Sequence, residues 1–311
     1  MAKYIAVAAG AGVLSASLMM ALLAGSLGNM VLAYMTPLPL FYVGLVYGAG
    51  GAVLAGLAGT AASMIVGPLA AVGYFVVFAF PIAILIRQAT LWRARPDGSR
   101  EYYSPGLLAI WLAGLAGAGL ALAWALTWDV EGGLPAALRP ALELAVGMVT
   151  PPRESATVTA VAERLAAIMP AIIATSWMLM IVINGALAQG LAARFGHSRV
   201  PSPSLARIAL PHALAALLAG AAVAAALGGP LGSIGLAVEA IVAVPFFLQG
   251  LGVLHAVAYR TQTPRMVLLA TYGVLTVFIV AILLVAAIGL IEQWARFRQR
   301  LAGRPPRREN E

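Results

Sequence analysis

Apolar residues run through this chain in long blocks separated by short polar stretches, and most of the charge lies in those stretches. A helix that crosses a bilayer needs about 20 such residues, more when tilted. The blocks that qualify are residues 5–33, 39–86, 105–128, 166–192, 208–228, 231–258 and 266–292. The second is long enough for at least two helices. Its sequence "PLPLFYVGLVYGAGGAVLAGLAGTAASMIVGPLAAVGYF" is interrupted by Pro37, Pro39, Gly50-Gly51 and Gly67-Pro68, where helices break, so it accommodates three. The pattern predicts an all-α, polytopic transmembrane bundle of about eight to nine membrane segments, some short and broken at Gly or Pro. Broken helices at membrane depth are tolerated only where protein buries them or they line a cavity, which makes this block a candidate cavity wall.

Composition strengthens that reading: of 311 residues 62% are hydrophobic and 10% charged, against roughly a quarter charged in soluble domains. The first run, preceded only by Lys3, is too long for a signal-peptide core and predicts a retained first transmembrane helix. Cysteine is absent and His197, His212 and His255 are scattered, so neither disulfides nor a metal cluster is expected. The net charge of +8 sits largely in short loops and at the C-terminus, where membrane orientation accounts for it better than nucleic-acid binding. No phosphate-binding loop, zinc-protease, nucleophile-elbow or haem-attachment motif occurs. The expectation is a multi-pass inner-membrane protein without enzymatic activity or cofactor. Anything it moves would then be carried secondarily or powered by another chain.

The organisation predicted is a single membrane domain over 1–292 and a basic interfacial tail over 293–311. Within the domain, 129–165 forms an acidic external loop. There Val158, Val161, Leu165 and Ile168 recur at helical spacing after Pro151-Pro152, which predicts a surface helix leading into the next span, either a lid or a packed cap. The basic loops 87–104 and 193–207 belong in the cytoplasm by the positive-inside rule. So does the tail, with Arg296, Arg298, Arg300, Arg304, Arg307 and Arg308. Arg260 and Arg265 conflict with this, because one unbroken helix over 266–292 would put them opposite the tail. Placing these two arginines outside, with the 208–258 region crossing an odd number of times because it breaks at Pro245, misplaces fewer charges than placing the tail there. Trp294, Phe297 and Leu301 near one face of "EQWARFRQRLAGRPPRR" suit a short helix on an anionic leaflet, and a solvated basic end is the alternative.

Glu239 is the sharpest single feature. It lies about nine residues past Gly228-Gly229-Pro230, roughly 13 Å of rise, inside an otherwise apolar segment. An ionised carboxylate at such depth is costly unless paired, protonated or facing water, so it is either a substrate or proton site or a neutral packed group. Asn29, Asn184, Gln249 and His255 join it as substrate-binding candidates, each singly as readily interhelical glue. His255 follows Glu239 by 16 residues, about 160° around a helix, so the two share a site only if Pro245 breaks that helix. Ala8, Gly12 and Ala16 recur at four-residue spacing and form a close-packing stripe, a candidate partner contact or internal packing.

The stretches "PLPLFYVGLVYGAGGAVLAG", "EYYSPG", "FFLQGLGVLHAVAYR" and "GLIEQWARFRQR" resemble the YybS-like family of bacterial membrane proteins, over most of the chain. That family is in turn distantly similar to the substrate-capturing S components of energy-coupling-factor transporters. The likeness rests on residues 37–66, a Pro-rich turn, a short helix, a Gly break and another helix. The resemblance implies a small-molecule pocket open to the outside and a membrane coupling subunit docked on the Ala8, Gly12, Ala16 stripe. The rival expectation is a membrane scaffold that recruits envelope proteins. In either case the lipid bilayer is a partner.

Overall fold

The structure, a computed structural model, describes residues 1–148 and 155–302. They sort into two compact units, one of residues 1–112 and 179–203, the other of residues 113–178 and 204 onward.

In the first unit α1 (Ala2–Met20) ends in a 3-10 turn and stops at Gly25, which takes the left-handed conformation (φ 69°). The Ser26 hydroxyl then accepts the Asn29 N–H at 3.2 Å and caps α2 (Leu27–Tyr34). The 5–33 run expected as one span is therefore two helices, because glycine permits the reversal and serine satisfies the new first turn. α3 (Pro37–Tyr47) follows a kink at Met35 and Thr36, and Gly48 (φ 87°) separates it from α4 (Ala49–Ser63). α5 (Pro68–Tyr74) begins at Gly67 and passes through a π turn into α6 (Phe80–Ala89). The 39–86 block thus holds three apolar pieces, the larger of the two counts.

The stripe on α1 faces inward. Ala8, Gly12 and Ala16 are buried, and a Cβ at Gly12 would lie 2.0 Å from the Ala55 carbonyl oxygen of α4. This corrects the stripe as a partner contact: the close approach it permits is made within the chain. Beyond α6 the chain forms a small antiparallel hairpin, β1 (Trp92–Ala94) with β2 (Arg100–Tyr102), and enters α7 (Pro105–Leu126).

The second unit contains the later part of α7, α8 (Gly133–Gly147) and the start of α9 (Ser155–Arg194). The helical spacing at 158–168 belongs to the first turns of α9, one 40-residue helix that continues through Pro170. Pro151-Pro152, Arg153 and Glu154 lie outside the described residues. α10 (His212–Ala226) turns at Gly228 and Gly229 into α11 (Gly229–Ala258), close enough that a Cβ at Gly235 would lie 2.4 Å from the Ala225 nitrogen. α11 is continuous through Pro245, so the expected break is absent. Proline removes one backbone donor there, and the burial of Val244, Pro245 and Phe246 holds the helix together.

The expected 266–292 span is broken instead. α12 (Pro264–Val277) ends at Phe278, whose backbone is extended (φ −115°, ψ 102°), and α13 (Ile279–Ala295) begins there. At 14 and 17 residues the two helices measure about 21 and 25 Å, each short of a hydrocarbon core of about 30 Å. α13 packs on α11 at two glycines: a Cβ at Gly250 would lie 1.9 Å from the Val285 oxygen, and one at Gly289 1.8 Å from the Phe246 oxygen. After α13 comes α14 (Phe297–Ala302). Arg260 donates to the Leu301 carbonyl, and Arg298 Nη1 donates to the Ala206 carbonyl at 2.8 Å. Arg260, the 204–208 segment and the start of the tail therefore meet at one end of this unit. The conflict over Arg260 and Arg265 assumed an unbroken helix over 266–292, and the helix is broken at Phe278. Arg304, Arg307 and Arg308 lie outside the described residues.

Among the described residues six stretches are long and apolar enough to cross a bilayer, Ala2–Leu23, Leu27–Tyr47, Pro68–Ala89, Pro105–Leu126, Ala156–Arg194 and Gly229–Ala258. Four shorter apolar helices accompany them. The architecture is the all-α polytopic one expected, and the exposure of apolar side chains along its helices implies contact with the bilayer.

Candidate functional site

Polar groups inside the first unit fasten helices to one another. Asn184 is fully buried, and its Nδ2 donates to the carbonyls of Tyr34 and Met180, both at 2.9 Å, which ties α9 to the end of α2. Its Oδ1 has no hydrogen-bond partner among the described residues. Tyr74 donates to Ser15 Oγ at 2.8 Å and Ser15 to the Thr36 carbonyl at 2.6 Å, a buried chain that satisfies backbone at the α2–α3 kink. Asn29 is half-buried in the first turn of α2, and its backbone N–H is consumed by the Ser26 cap. It therefore lies near the start of its membrane segment rather than at depth.

One end of this unit is basic. The hairpin meets the 195–203 loop where Tyr102 donates to the Arg199 carbonyl, and His197 Nδ1 lies 3.3 Å from the Tyr42 hydroxyl. Arg100 lies over the Trp92 ring, 4.4 Å from its centroid. Hydrogen bonds from Arg95 and then Arg93 hold the Glu101 carboxyl down at about 2. Because this folded-state value is depressed, the pairing is fully present above the ordinary glutamate range near 4.5 and is lost as pH falls through about 2. An acid titration followed by NMR of the hairpin should show β1–β2 pairing unchanged at pH 4, with Glu101→Gln abolishing the late transition. The effect on global stability is small, since the arginines are exposed.

The other three candidates share α11. Gln249 is buried, and its Nε2 donates to the Gly289 carbonyl at 3.0 Å, bonding α11 to α13, while its Oε1 has no partner among the described residues. His255 Nδ1 lies 2.9 Å from the Leu251 carbonyl and its ring meets Tyr272 edge-on, with centroids 5.9 Å apart. Glu239 is half-buried with no hydrogen bond or ion pair among the described residues. Because α11 is unbroken, Glu239 and His255 stay about 160° and 24 Å apart and form no common site. Glu239 precedes Phe246 by seven residues, two turns, so it lies about 20° from the α11 face on which Phe246 meets Gly289.

A buried carboxylate that the structure does engage is Glu292, which the sequence did not single out. It is 5% exposed, and it accepts Arg298 Nε at 2.8 Å and the backbone N–H groups of Phe297 at 2.6 Å and Arg298 at 3.3 Å. A buried carboxylate needs this full complement of donors. The signal in the sequence was a lone acid at the end of an apolar run, six residues before an arginine. Among the described residues no group of three or more His, Asp and Glu could hold a metal ion.

These features place a broken, close-packed apolar helix pair beside a continuous membrane span, with basic segments at the ends. The family model described as predicted membrane protein (DUF2232) matches residues 13–292. The chain belongs to this family. The matched region runs from α1 to Glu292, so it takes in both units, the α12–α13 break and Glu239. No curated protein and no solved structure matches the chain.

Proposed function

We propose that the protein is a small-molecule carrier module of the inner membrane, with its working site where the α12–α13 break comes level with Glu239. The supporting observation is the break itself. Phe278 and Glu239 each lie eleven residues, about 16 Å of rise, before the glycines at which α13 and α11 cross. Discontinuous helices at membrane depth are where carriers gather backbone groups around a substrate, and a carboxylate on the facing helix supplies an ion or proton partner. The helix, Gly48 break and helix over 37–63 supports an S-component-like core. Because α4 covers the Ala8, Gly12, Ala16 stripe, a coupling subunit would dock elsewhere. A non-transporting membrane scaffold is the second reading, favoured by the use of Asn184, Ser15 and Tyr74 as internal fasteners.

The basic hairpin and the 195–203 loop share one end of the first unit, and the 204–208 segment that continues this loop meets the tail in the second. By the positive-inside rule we assign all of them to the cytoplasm. Mass spectrometry of small molecules co-purifying in native lipid tests the carrier reading. Wild type should retain a compound that Glu239→Gln loses while remaining folded, and identical profiles from both would count against it.

A further inference from the structure

We infer that α8 is an interfacial helix, lying along the membrane surface on the α7–α9 side with its exposed apolar face in the boundary between lipid headgroups and acyl chains. A helix that faces water turns its apolar residues inward and its charges outward. α8 does the reverse. Its exposed residues Ala137, Pro140, Ala141, Leu144 and Ala145, with Met148 at the C-cap, recur at helical spacing along one side. Leu144 is 65% exposed and Met148 75%. The two charged residues of the helix, Arg139 and Glu143, fall on the opposite side. Arg139 is turned toward the protein, where its Nη2 donates to Glu163 Oε1 of α9 at 3.1 Å.

Two attachments hold α8 at the level where the membrane segments end, and they say what covers the face. Residues 105–128 carry no charge, and α8 starts against the last turn of that span: a Cβ at Gly133 would lie 2.5 Å from the Trp124 ring. Trp128, 84% exposed on the turn between them, suits the aromatic belt of a membrane interface. Residues 165–193 carry no charge either, and Glu163, the partner of Arg139, stands just before that run. The first turn of α8 is thus fixed to the end of one membrane segment and its middle to the start of the next. At 15 residues α8 measures about 22 Å, and it is not among the described stretches long and apolar enough to cross. Both segment ends therefore share one side of the membrane, and α8 runs along that side.

The face is continuous with a span that lipid already surrounds, and an apolar stripe at this level is buried by the outermost part of the acyl chains. No cation lies on the exposed side, and Asp129 and Glu131 precede the helix, so the contact is apolar and gains nothing from anionic headgroups. This distinguishes it from a basic amphipathic anchor. The inference does not depend on Glu239 or on any transport.

The test is site-directed spin labelling of the full chain, which contains no cysteine, in phosphatidylcholine nanodiscs. Nitroxides at Ala137→Cys, Ala141→Cys, Leu144→Cys and Ala145→Cys are compared with Leu122→Cys, exposed on α7, and Glu131→Cys, exposed beyond its end. Collisions with oxygen, which concentrates in lipid, are measured against collisions with a neutral, water-soluble nickel chelate. All four stripe labels should show an oxygen-to-nickel ratio several-fold above that of Glu131→Cys and approaching that of Leu122→Cys. The ratios should be the same in phosphatidylglycerol nanodiscs. Using four positions keeps the result from resting on one label that disturbs packing. Stripe ratios equal to that of Glu131→Cys would place the face in water, and low collision rates with both reagents would place it under a second copy or another protein. Either result overturns the inference, as would a raised ratio seen only with phosphatidylglycerol.

Discussion

Gly12→Leu should abolish the folded protein rather than weaken any partner. A Cβ at this position already lies 2.0 Å from the Ala55 oxygen and 2.8 Å from the Gly59 nitrogen, both backbone atoms that cannot turn aside. A leucine would therefore force α1 off α4, and Tyr74, which packs on Gly59 and bonds Ser15, would move with it. Overpacking of a well-filled interface costs about 1 to 3 kcal/mol, more where backbone must shift. Gly10→Leu supplies the contrast, because nothing lies within 4 Å of a Cβ there. Fluorescence-detected size-exclusion yield and melting temperature in detergent would separate the two variants. Equal yields would show that α1 does not pack on α4 through this stripe.

Glu292→Leu should be the most damaging single change near the C-terminus. It leaves the Arg298 side chain, 15% exposed, without its carboxylate and strips acceptors from two backbone N–H groups. Breaking a buried pair from one side costs about 3 to 5 kcal/mol. Replacing both members, Glu292→Leu with Arg298→Leu, should recover part of that loss, because the uncompensated charge is then gone. A double variant no more stable than Glu292→Leu alone would show that the carboxylate acts through the turn and not through the ion pair.

Run length alone made several spans legible: the block 105–128 is α7 over Pro105–Leu126, and 231–258 is α11 over Gly229–Ala258. The glycine signal worked at Gly67, where the backbone takes positive φ, and missed by two residues at Gly50-Gly51, which lie inside α4 while Gly48 makes the break. They were misjudged at Gly25, where apolar residues on both sides hid a helix end that Ser26 caps. Proline misled in the opposite direction at Pro245, because a buried helix has neighbours to hold it together. The break at Phe278 has no composition signal at all, since extended backbone can be adopted by any residue and tertiary packing of α13 on Gly250 selects it. Glu239 was found by its polarity and Glu292 was not, because an acid beside several arginines reads as solvated tail until the turn at Arg296 buries it.

The proposed topology requires the α12–α13 break to return the chain to the side it left, so that Arg260, Arg265 and the tail face the same compartment. The chain contains no cysteine, which makes single-cysteine labelling in intact cells direct. Thr263→Cys, Gln299→Cys and Asp97→Cys should all resist an impermeant maleimide until the membrane is permeabilised, whereas Glu131→Cys should react at once. Labelling of Thr263→Cys and Gln299→Cys from opposite sides would contradict the account, for it would require 264–295 to cross the membrane once as an unbroken span.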